Sequence, residues 1–311
     1  MPKVSIIMNC YNSDKYLKEA IESIYAQTYQ DWEIIFWDNQ STDNSANIAK
    51  SYDERLRYFY GEEHLPLGVV RNKPLDHVRG EYIAYIDCDD EWLPEKLERQ
   101  VEVFENDSNV DFIYSNFIIN NIKKKKKKIA HKNIQPDGDV FNSQISKYSI
   151  GFQTVMFKTE LLSKVDEWFD INLNHSGEYE LFLRFFGIVK ANVYYIKNPL
   201  VIYRIHGANL SLTQREKFII DFRYLIQKFT ELYDVNDKDI QEGIRMLNRR
   251  ADITEATIYL SSGEQKKASA LLRNHRHSSL ETEVQYILSK LPSSTSKLLY
   301  NFLRKIKKRN N

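Results

Sequence analysis

The stretch Glu81-Tyr82-Ile83-Ala84-Tyr85-Ile86-Asp87-Cys88-Asp89-Asp90-Glu91-Trp92 decides how the rest of the chain reads. Tyr82 to Ile86 is a short apolar run of the kind that forms a buried strand, and it leads straight into Asp87, Asp89, Asp90 and Glu91. Crowded carboxylates at the end of an apolar strand repel one another unless a cation sits among them. The Asp87-x-Asp89 spacing suits a divalent metal, because two carboxylates on one turn hold one hard cation and leave positions open for phosphate oxygens. The carboxyl end of a strand in an open α/β sheet is also where ligands bind. The same residues fit a plainer reading, an acidic turn in which Asp89 or Asp90 caps the helix that Pro94 opens.

Upstream of this stretch, apolar runs alternate with helical patterns. Val4 to Met8 reads as a strand covered on both faces, and it ends in the polar turn Asn9-Cys10-Tyr11-Asn12-Ser13. Leu17, Ala20, Ile21, Ile24 and Tyr25 then recur at helical spacing. Trp32 to Trp37 is the next strand, closed by Asp38 to Asn44, where Ser41 or Thr42 can cap a helix through Ala46, Ile48 and Ala49. Arg55 to Phe59 reads as a third strand, and Gly68 to Val78 as a turn and helix. This β-α-β-α-β order predicts an α/β fold with a mostly parallel sheet flanked by helices. There is no G-x-G-x-x-G after the first strand and no G-x-x-x-x-G-K-[ST] anywhere, which disfavours a dinucleotide oxidoreductase and a P-loop ATPase.

Downstream, Leu93 to Phe104 is an amphipathic helix, and Val110 to Phe117, Gly151 to Phe157, Val193 to Ile196 and Leu200 to Tyr203 read as strands. Gly177 to Phe186 is a helix with acids at its head, and Glu178 and Glu180 there suit the helix dipole. His206 follows in Arg204-Ile205-His206-Gly207, where a lone histidine is either a hydrogen-bonding loop residue or a ligand. The composition changes near Thr213 into helical patterns, which divides the chain into an α/β region, 1–211, and a smaller all-helical region, 212–311. Ile253 to Leu260 and Ala268 to Leu272 read as a helical hairpin.

The 44 basic and 43 acidic side chains nearly cancel, so no global charge points to nucleic acid. Two cysteines, Cys10 and Cys88, form no disulfide framework, which predicts a reducing, cytoplasmic setting. No apolar run approaches the ~20 residues that cross a bilayer. Two basic segments stand out. Lys123 to Lys128 is six lysines in a row, read as a solvated hairpin tip or as a contact for anionic lipid or a phosphate-bearing acceptor. Lys297 to Arg309 has Leu298, Leu299, Phe302, Leu303 and Ile306 on one face, and suits either the inner face of an anionic membrane or a packed cap with a basic tail.

An ordered series of motifs resembles the family 2 glycosyltransferases of GT-A fold. It runs from Val4-Ser5-Ile6-Ile7 and Tyr11-Asn12 through Glu19 to Ile24, Gln27-Thr28-Tyr29, and Asp38 with Ser41-Thr42-Asp43. Arg79 to Ile83, Asp87-Cys88-Asp89-Asp90, Trp92-Leu93-Pro94, Glu178 to Arg184, and Tyr203 to His206 with Ser211 continue it. The resemblance spans about two thirds of the chain, residues 3 to 211. It implies an inverting enzyme, a hexosyl- or N-acetylhexosaminyltransferase, taking a nucleotide-sugar donor, a UDP-sugar above all. The implied acceptor is a glycan or lipid-linked glycan at the cytoplasmic face of the membrane.

In such an enzyme Tyr11 stacks on the nucleobase, Asp38 accepts its ring N–H, and Arg71 reaches the base or the diphosphate. Asp87 lies near the ribose and the metal's waters. Asp89 binds Mn²⁺ or Mg²⁺ directly, and His206 matches a position that adds a ligand to the metal or the diphosphate. Glu178 matches the catalytic base. The chain departs from the family at two places: Gly177-Glu178 replaces the usual Glu-Asp pair, and Asn9-Cys10 replaces a commoner Pro-Thr. The rival readings are a non-catalytic GT-A domain serving as a binding module, and a nucleotidyltransferase, which would need a glycine-rich basic loop that Asn9 to Lys15 lacks.

Overall fold

Strand β1, Val4–Cys10, is the centre of the first half of the sheet. It pairs in parallel with β2, Trp32–Asp38, on one side and with β4, Tyr82–Tyr85, on the other, while β3, Leu56–Tyr60, lies in parallel outside β2. Ile6, Ile7, Ile34, Ile35, Phe36, Ile83 and Ala84 are all fully buried, so both faces of these strands are covered, as parallel sheets require. The helix Asp14–Tyr25 covers one face through Leu17, Ala20, Ile21 and Ile24, the positions its periodicity predicts. Gly80 enters β4 so close to β1 that a Cβ there would lie 2.5 Å from the Ser5 nitrogen, which explains why the turn before the acidic strand carries glycine.

Beyond β4 the sheet becomes mixed. The remaining strands are β5, Glu91–Trp92; β6, Phe112–Asn121; β7, Lys126–Ile129; β8, Met156–Lys158; and β9, Val193–Ile205. The order is β3-β2-β1-β4-β8-β6-β9-β5, with β7 paired to β6. Strand β8 runs antiparallel between β4 and β6, and β9 runs parallel to β6. The computed structural model describes residues 1–275, 280–292, 294–297 and 299–300.

Several boundaries differ from the sequence reading for physical reasons. The segment expected as a strand from Gly151 begins as a tight turn, because the Thr154 hydroxyl and amide both donate to the Gly151 carbonyl at 2.6 and 2.9 Å; the strand starts only at Met156. The two short strands expected at Val193 to Ile196 and Leu200 to Tyr203 are one strand with an irregularity opposite Asn116, where Pro199 has no N–H to give the ladder. The helix after Pro94 starts at Lys96 and takes no cap from Asp89 or Asp90, because the Leu93 amide donates to the Leu200 carbonyl and the chain is still paired with β9. The six lysines form the turn and return strand of the β6–β7 hairpin.

The chain divides into two compact units, Met1–Asn209 and Leu210–Asn311. The second is helical, with helices Arg215–Leu232, Lys238–Ser262, Gln265–Leu272 and Leu280–Leu288. Asp237 caps the longest by accepting from the Asp239 and Ile240 amides, and Gly263, at φ 92°, closes it. Ala256, Leu260, Ala268, Leu272 and Leu288 form a core within this unit, so the expected helical hairpin is present. The end of the basic segment expected at Lys297 to Arg309 lies outside the described residues. Among the described residues no helix is long and apolar enough to cross a membrane.

Candidate active site

The strand ends of β1, β2 and β4 open on the same edge of the sheet, and the sequence-predicted residues of the first unit gather there. After β4 the chain turns sharply, with the Asp90 amide donating to the Asp87 carbonyl at 3.1 Å. Ligand atoms of Asp87, Asp89 and Asp90 lie within 4.8 Å of one another, the one such cluster among the described residues. Each carboxylate is held differently. Asp90 is fully buried, and its Oδ1 accepts from the Arg204 amide at 2.8 Å. Its Oδ2 is buried without a hydrogen-bond partner. Asp89 is half-buried, and its Oδ2 meets His206 Nε2 at 2.8 Å and accepts from Asn209 Nδ2 at 3.3 Å. Asp87 is exposed to solvent on one side and crowded by protein atoms on the other.

Burial first, and the charge of Asp89 second, push the Asp87 carboxyl up to about 7, while Arg71 pulls it the other way. Burial also holds Asp90 well above the usual carboxylate range, with Asp87 and Asp89 adding to the effect. Three acids this close cannot all ionise cheaply without a positive partner. The donor set is all oxygen apart from the neighbouring His206, and one buried oxygen is unsatisfied. These residues fit a hard divalent cation.

Facing them is a second pair. Arg71, buried in the turn after the helix Leu67–Val70, places Nη1 2.5 Å from Glu178 Oε2 at the head of the helix Gly177–Gly187. The guanidinium lies over the rings of Phe152 and Phe169, 4.8 and 5.7 Å from their centroids. Asp87 and Glu178 both act electrostatically on Arg71, so the acid cluster and this ion pair share one site. Gly177 leaves room beside it: a Cβ there would stand 3.8 Å from Arg71 Nη1 and clash with nothing. Glu178 is the acidic side chain that the helix head sets beside Arg71. Glu180 points away, is fully buried, and is ion-paired with Arg184 at 2.7 and 2.9 Å. It is a core residue, which its first-turn position did not reveal.

Tyr11, at the end of β1, is half-exposed, and its ring centroid lies 4.2 Å from that of His64. His64 is held by Asn39 through Nδ1 contacts of 3.2 and 3.0 Å. Asp38 is fully buried at the end of β2: its Oδ1 accepts from the Ser41 amide at 2.7 Å and its Oδ2 from the Tyr58 hydroxyl at 2.6 Å. In this structure Asp38 fixes the turn beneath Tyr11. The sequence reading missed His64, Asn209 and the part of Arg204. Arg204 is buried, sits 4.4 Å from the Tyr16 ring and bridges Glu19 and Glu91. The R-x-H and H-x-x-N spacings of Arg204, His206 and Asn209 carry no signal for such contacts, because their partners Asp90 and Asp89 lie over a hundred residues away.

The Glycosyl transferase family 2 model matches residues 5–166, more than half of the chain. The UDP-Glc:alpha-D-GlcNAc-diphosphoundecaprenol beta-1,3-glucosyltransferase WfgD of Escherichia coli is 32% identical over 182 residues, covering 58% of this chain and 68% of WfgD. TarS of S. aureus, crystallised as residues 1–349 with UDP-GlcNAc, superposes with a TM-score of 0.62 at 16% identity, covering 96% of this chain and 91% of that one. This chain spans half of the longer crystallised TarS chain, at a TM-score of 0.66 and 18% identity over 91% of the present chain. The mannosyltransferase PcManGT of Pyrobaculum calidifontis, solved with GDP-Man and Mn²⁺, gives a TM-score of 0.54 at 18% identity, with 97% and 85% of the two chains covered. The fold is of the GT-A kind, and the chain belongs to glycosyl transferase family 2.

Proposed function

We propose that this chain is an inverting glycosyltransferase with a nucleotide-sugar donor, read as a UDP-sugar, and a divalent cation. It moves a hexosyl or N-acetylhexosaminyl group to a hydroxyl of a surface glycan on a lipid carrier at the cytoplasmic face of the membrane. The observation that carries the reading is the meeting of the Asp87, Asp89 and Asp90 cluster with the Arg71–Glu178 pair at one edge of the sheet. A carboxylate held by Arg71 then stands opposite a place for a negatively charged leaving group. The donors named for WfgD and TarS support a UDP-sugar, and the Mn²⁺ complex of PcManGT supports a metal.

In this reading Tyr11, with His64 behind it, supports the nucleobase, and Asp38, whose two oxygens are taken by the Ser41 amide and the Tyr58 hydroxyl, sets the turn that shapes that pocket rather than meeting the ring N–H itself. Asp87, Asp89 and Asp90 would hold the cation, and His206 and Asn209 fix the Asp89 carboxylate. When bound, Mn²⁺ or Mg²⁺ supplies positive charge against the leaving diphosphate. Glu178 accepts the proton of the acceptor hydroxyl. The hydroxyl oxygen bonds to the anomeric carbon as the bond to the diphosphate oxygen breaks on the opposite face, so the configuration inverts. Arg71 has two tasks: its guanidinium orients Glu178 before the donor arrives, and it offers its remaining N–H groups to the diphosphate.

The test is a panel of nucleotide sugars with and without Mn²⁺, read by donor cleavage. Release of UDP that depends on Mn²⁺ and on Glu178 is expected. Release of pyrophosphate would identify a nucleotidyltransferase, and tight donor binding with no cleavage would leave a non-catalytic binding module.

A further inference from the structure

The β6–β7 hairpin carries charge that nothing in its own segment balances. From Phe112 to Pro136 there is no Asp or Glu, while Lys123 to Lys128 and Lys132 are all basic. Among the described residues none of Lys123 to Lys128 pairs with a carboxylate, and five of the six are exposed. The turn is tightly built all the same. The Lys124 amide donates to the Asn121 carbonyl and side chain, and Lys125 takes a left-handed backbone, φ 51°, which costs a residue with a side chain. Like charges are thus gathered on the turn and return strand of one hairpin. The apolar side chains at its ends are exposed too, Ile122 by 39% and Ile129 by 51%.

The arm's position is set by the sheet. Strand β6 pairs with β9 up to Asn121 and Ile205, and the Ile122 amide still donates to the Ile205 carbonyl at 3.0 Å. The lysine turn therefore leaves the sheet where β9 enters the loop His206 to Asn209, the loop that grips Asp89. The contact is close. Gly207 has φ 93°, and a Cβ on it would lie 2.6 Å from Lys123 Nζ, so the ammonium rests against the bare glycine. The turn end of the hairpin, at Ile122 and Lys123, therefore belongs to the rim of the site, and the return strand Lys126–Ile129 runs back from it along β6.

We propose that the β6–β7 hairpin is a docking surface for a bilayer rich in anionic phospholipid, and that it turns the mouth of the site toward that surface. The match is one of chemistry: a row of unneutralised ammonium groups meets phosphate headgroups, and the exposed Ile122 and Ile129 that flank the row add apolar contact with the interface. An anionic polymer would use the lysines but gain nothing from exposed isoleucines beside them. The inference rests on the lipid-carrier reading above for its purpose, though the contact itself does not require catalysis.

The test uses the full chain, and a variant with Lys125→Gln, Lys126→Gln, Lys127→Gln and Lys128→Gln, in co-sedimentation with phosphatidylglycerol–phosphatidylcholine vesicles and with pure phosphatidylcholine vesicles. Lys123 is left in place because it touches the Asp89-gripping loop, and both proteins keep the 297–311 segment. Each lysine at an anionic surface contributes about a factor of five, so the partition of the variant should fall at least about tenfold, and more at low salt. Wild-type partition should be much stronger on the anionic vesicles. Equal partition of variant and wild type overturns the proposal, as does equal binding to both vesicle types or none to either. Loss of inorganic polyphosphate binding in the variant, with no vesicle binding by the wild type, also overturns it and assigns the arm to a soluble phosphate-bearing partner. Mn²⁺-dependent donor cleavage is measured on the same samples and should be unchanged in the variant. A wild type that docks but cleaves no donor would refute the enzymatic reading and leave the docking surface standing.

Discussion

Replacing Glu178 with Gln probes both tasks assigned to the Arg71–Glu178 pair. The substitution keeps size and one acceptor oxygen but removes the ability to take a proton, so glycosyl transfer should fall by ~100- to 10,000-fold, the usual contribution of a general base. The pair is mostly buried, with side-chain exposures of 10% and 18%, so Arg71 will feel the loss of its counter-charge. Asp87 also acts on Arg71 and softens that loss. Weakening one charge-assisted hydrogen bond costs about 1–3 kcal/mol. That lowers the melting temperature by several degrees, roughly 2–4 °C per kcal/mol in a domain of this size. The variant should therefore be folded at assay temperature. The assay pairs steady-state transfer with donor affinity from thermal shift in Mn²⁺. A large fall in kcat with little change in donor affinity is expected. Transfer near the wild-type rate would refute the base assignment. A parallel collapse of donor affinity and rate would mean that Glu178 works only by holding Arg71 for the diphosphate.

Three further outcomes follow from the same geometry. Asp89→Ala should abolish the Mn²⁺-dependent stabilisation by UDP and the cleavage of donor, because Asp89 carries the His206 and Asn209 contacts; undiminished turnover with metal present would refute its assignment. Glu180→Gln should destabilise the fold by about 3 kcal/mol, because it breaks a buried ion pair with Arg184, and chemical denaturation that shows no loss would contradict the packing. Lys96 is fully buried against Gln100 and the Trp92 ring, and burial holds its ammonium well below the usual lysine range. The unfolded chain therefore binds a proton that the folded chain gives up, so stability should rise with pH from the depressed value to the ordinary lysine range and fall as pH drops through it. Lys96→Met should flatten that slope in urea unfolding at a series of pH values, and identical slopes in both proteins would show that Lys96 is not its source.

The first half of the fold was legible because its signals are local. A strand buried on both faces is mostly apolar, and Val4 to Met8, Trp32 to Trp37 and Tyr82 to Ile86 are, apart from Ser5 and Glu33, where the Ser5 hydroxyl donates to the Glu33 carboxylate at 2.7 Å. The helix Asp14–Tyr25 declares its buried stripe at helical spacing. The second half was harder because β8 is three residues long and β5 is two, too short to carry a period. Pro199 and the Gly151–Thr154 turn interrupt the rest. Whether a strand runs parallel or antiparallel depends on partners that no local window contains.

The site divides along the same line. Asp87 and Asp89 stood out by residue type and spacing, and Glu178 and His206 only through the family resemblance, but what each one touches could not be read from either. The Glu178 and Glu180 pair makes the point. Both are acids in one first turn, and the helix dipole favours both equally. Two residues along a helix is a rotation of about 200°, so one side chain faces the site and Arg71 while the other faces the core and Arg184. Only the packing of Leu181, Phe182 and Phe185, all fully buried, fixes which face is which. A carboxylate reads as functional when its counter-charge comes from across a site, as Arg71 does over an interval of 107 residues, and as structural when it comes from the next turn of its own helix. By that criterion the weight falls on Glu178.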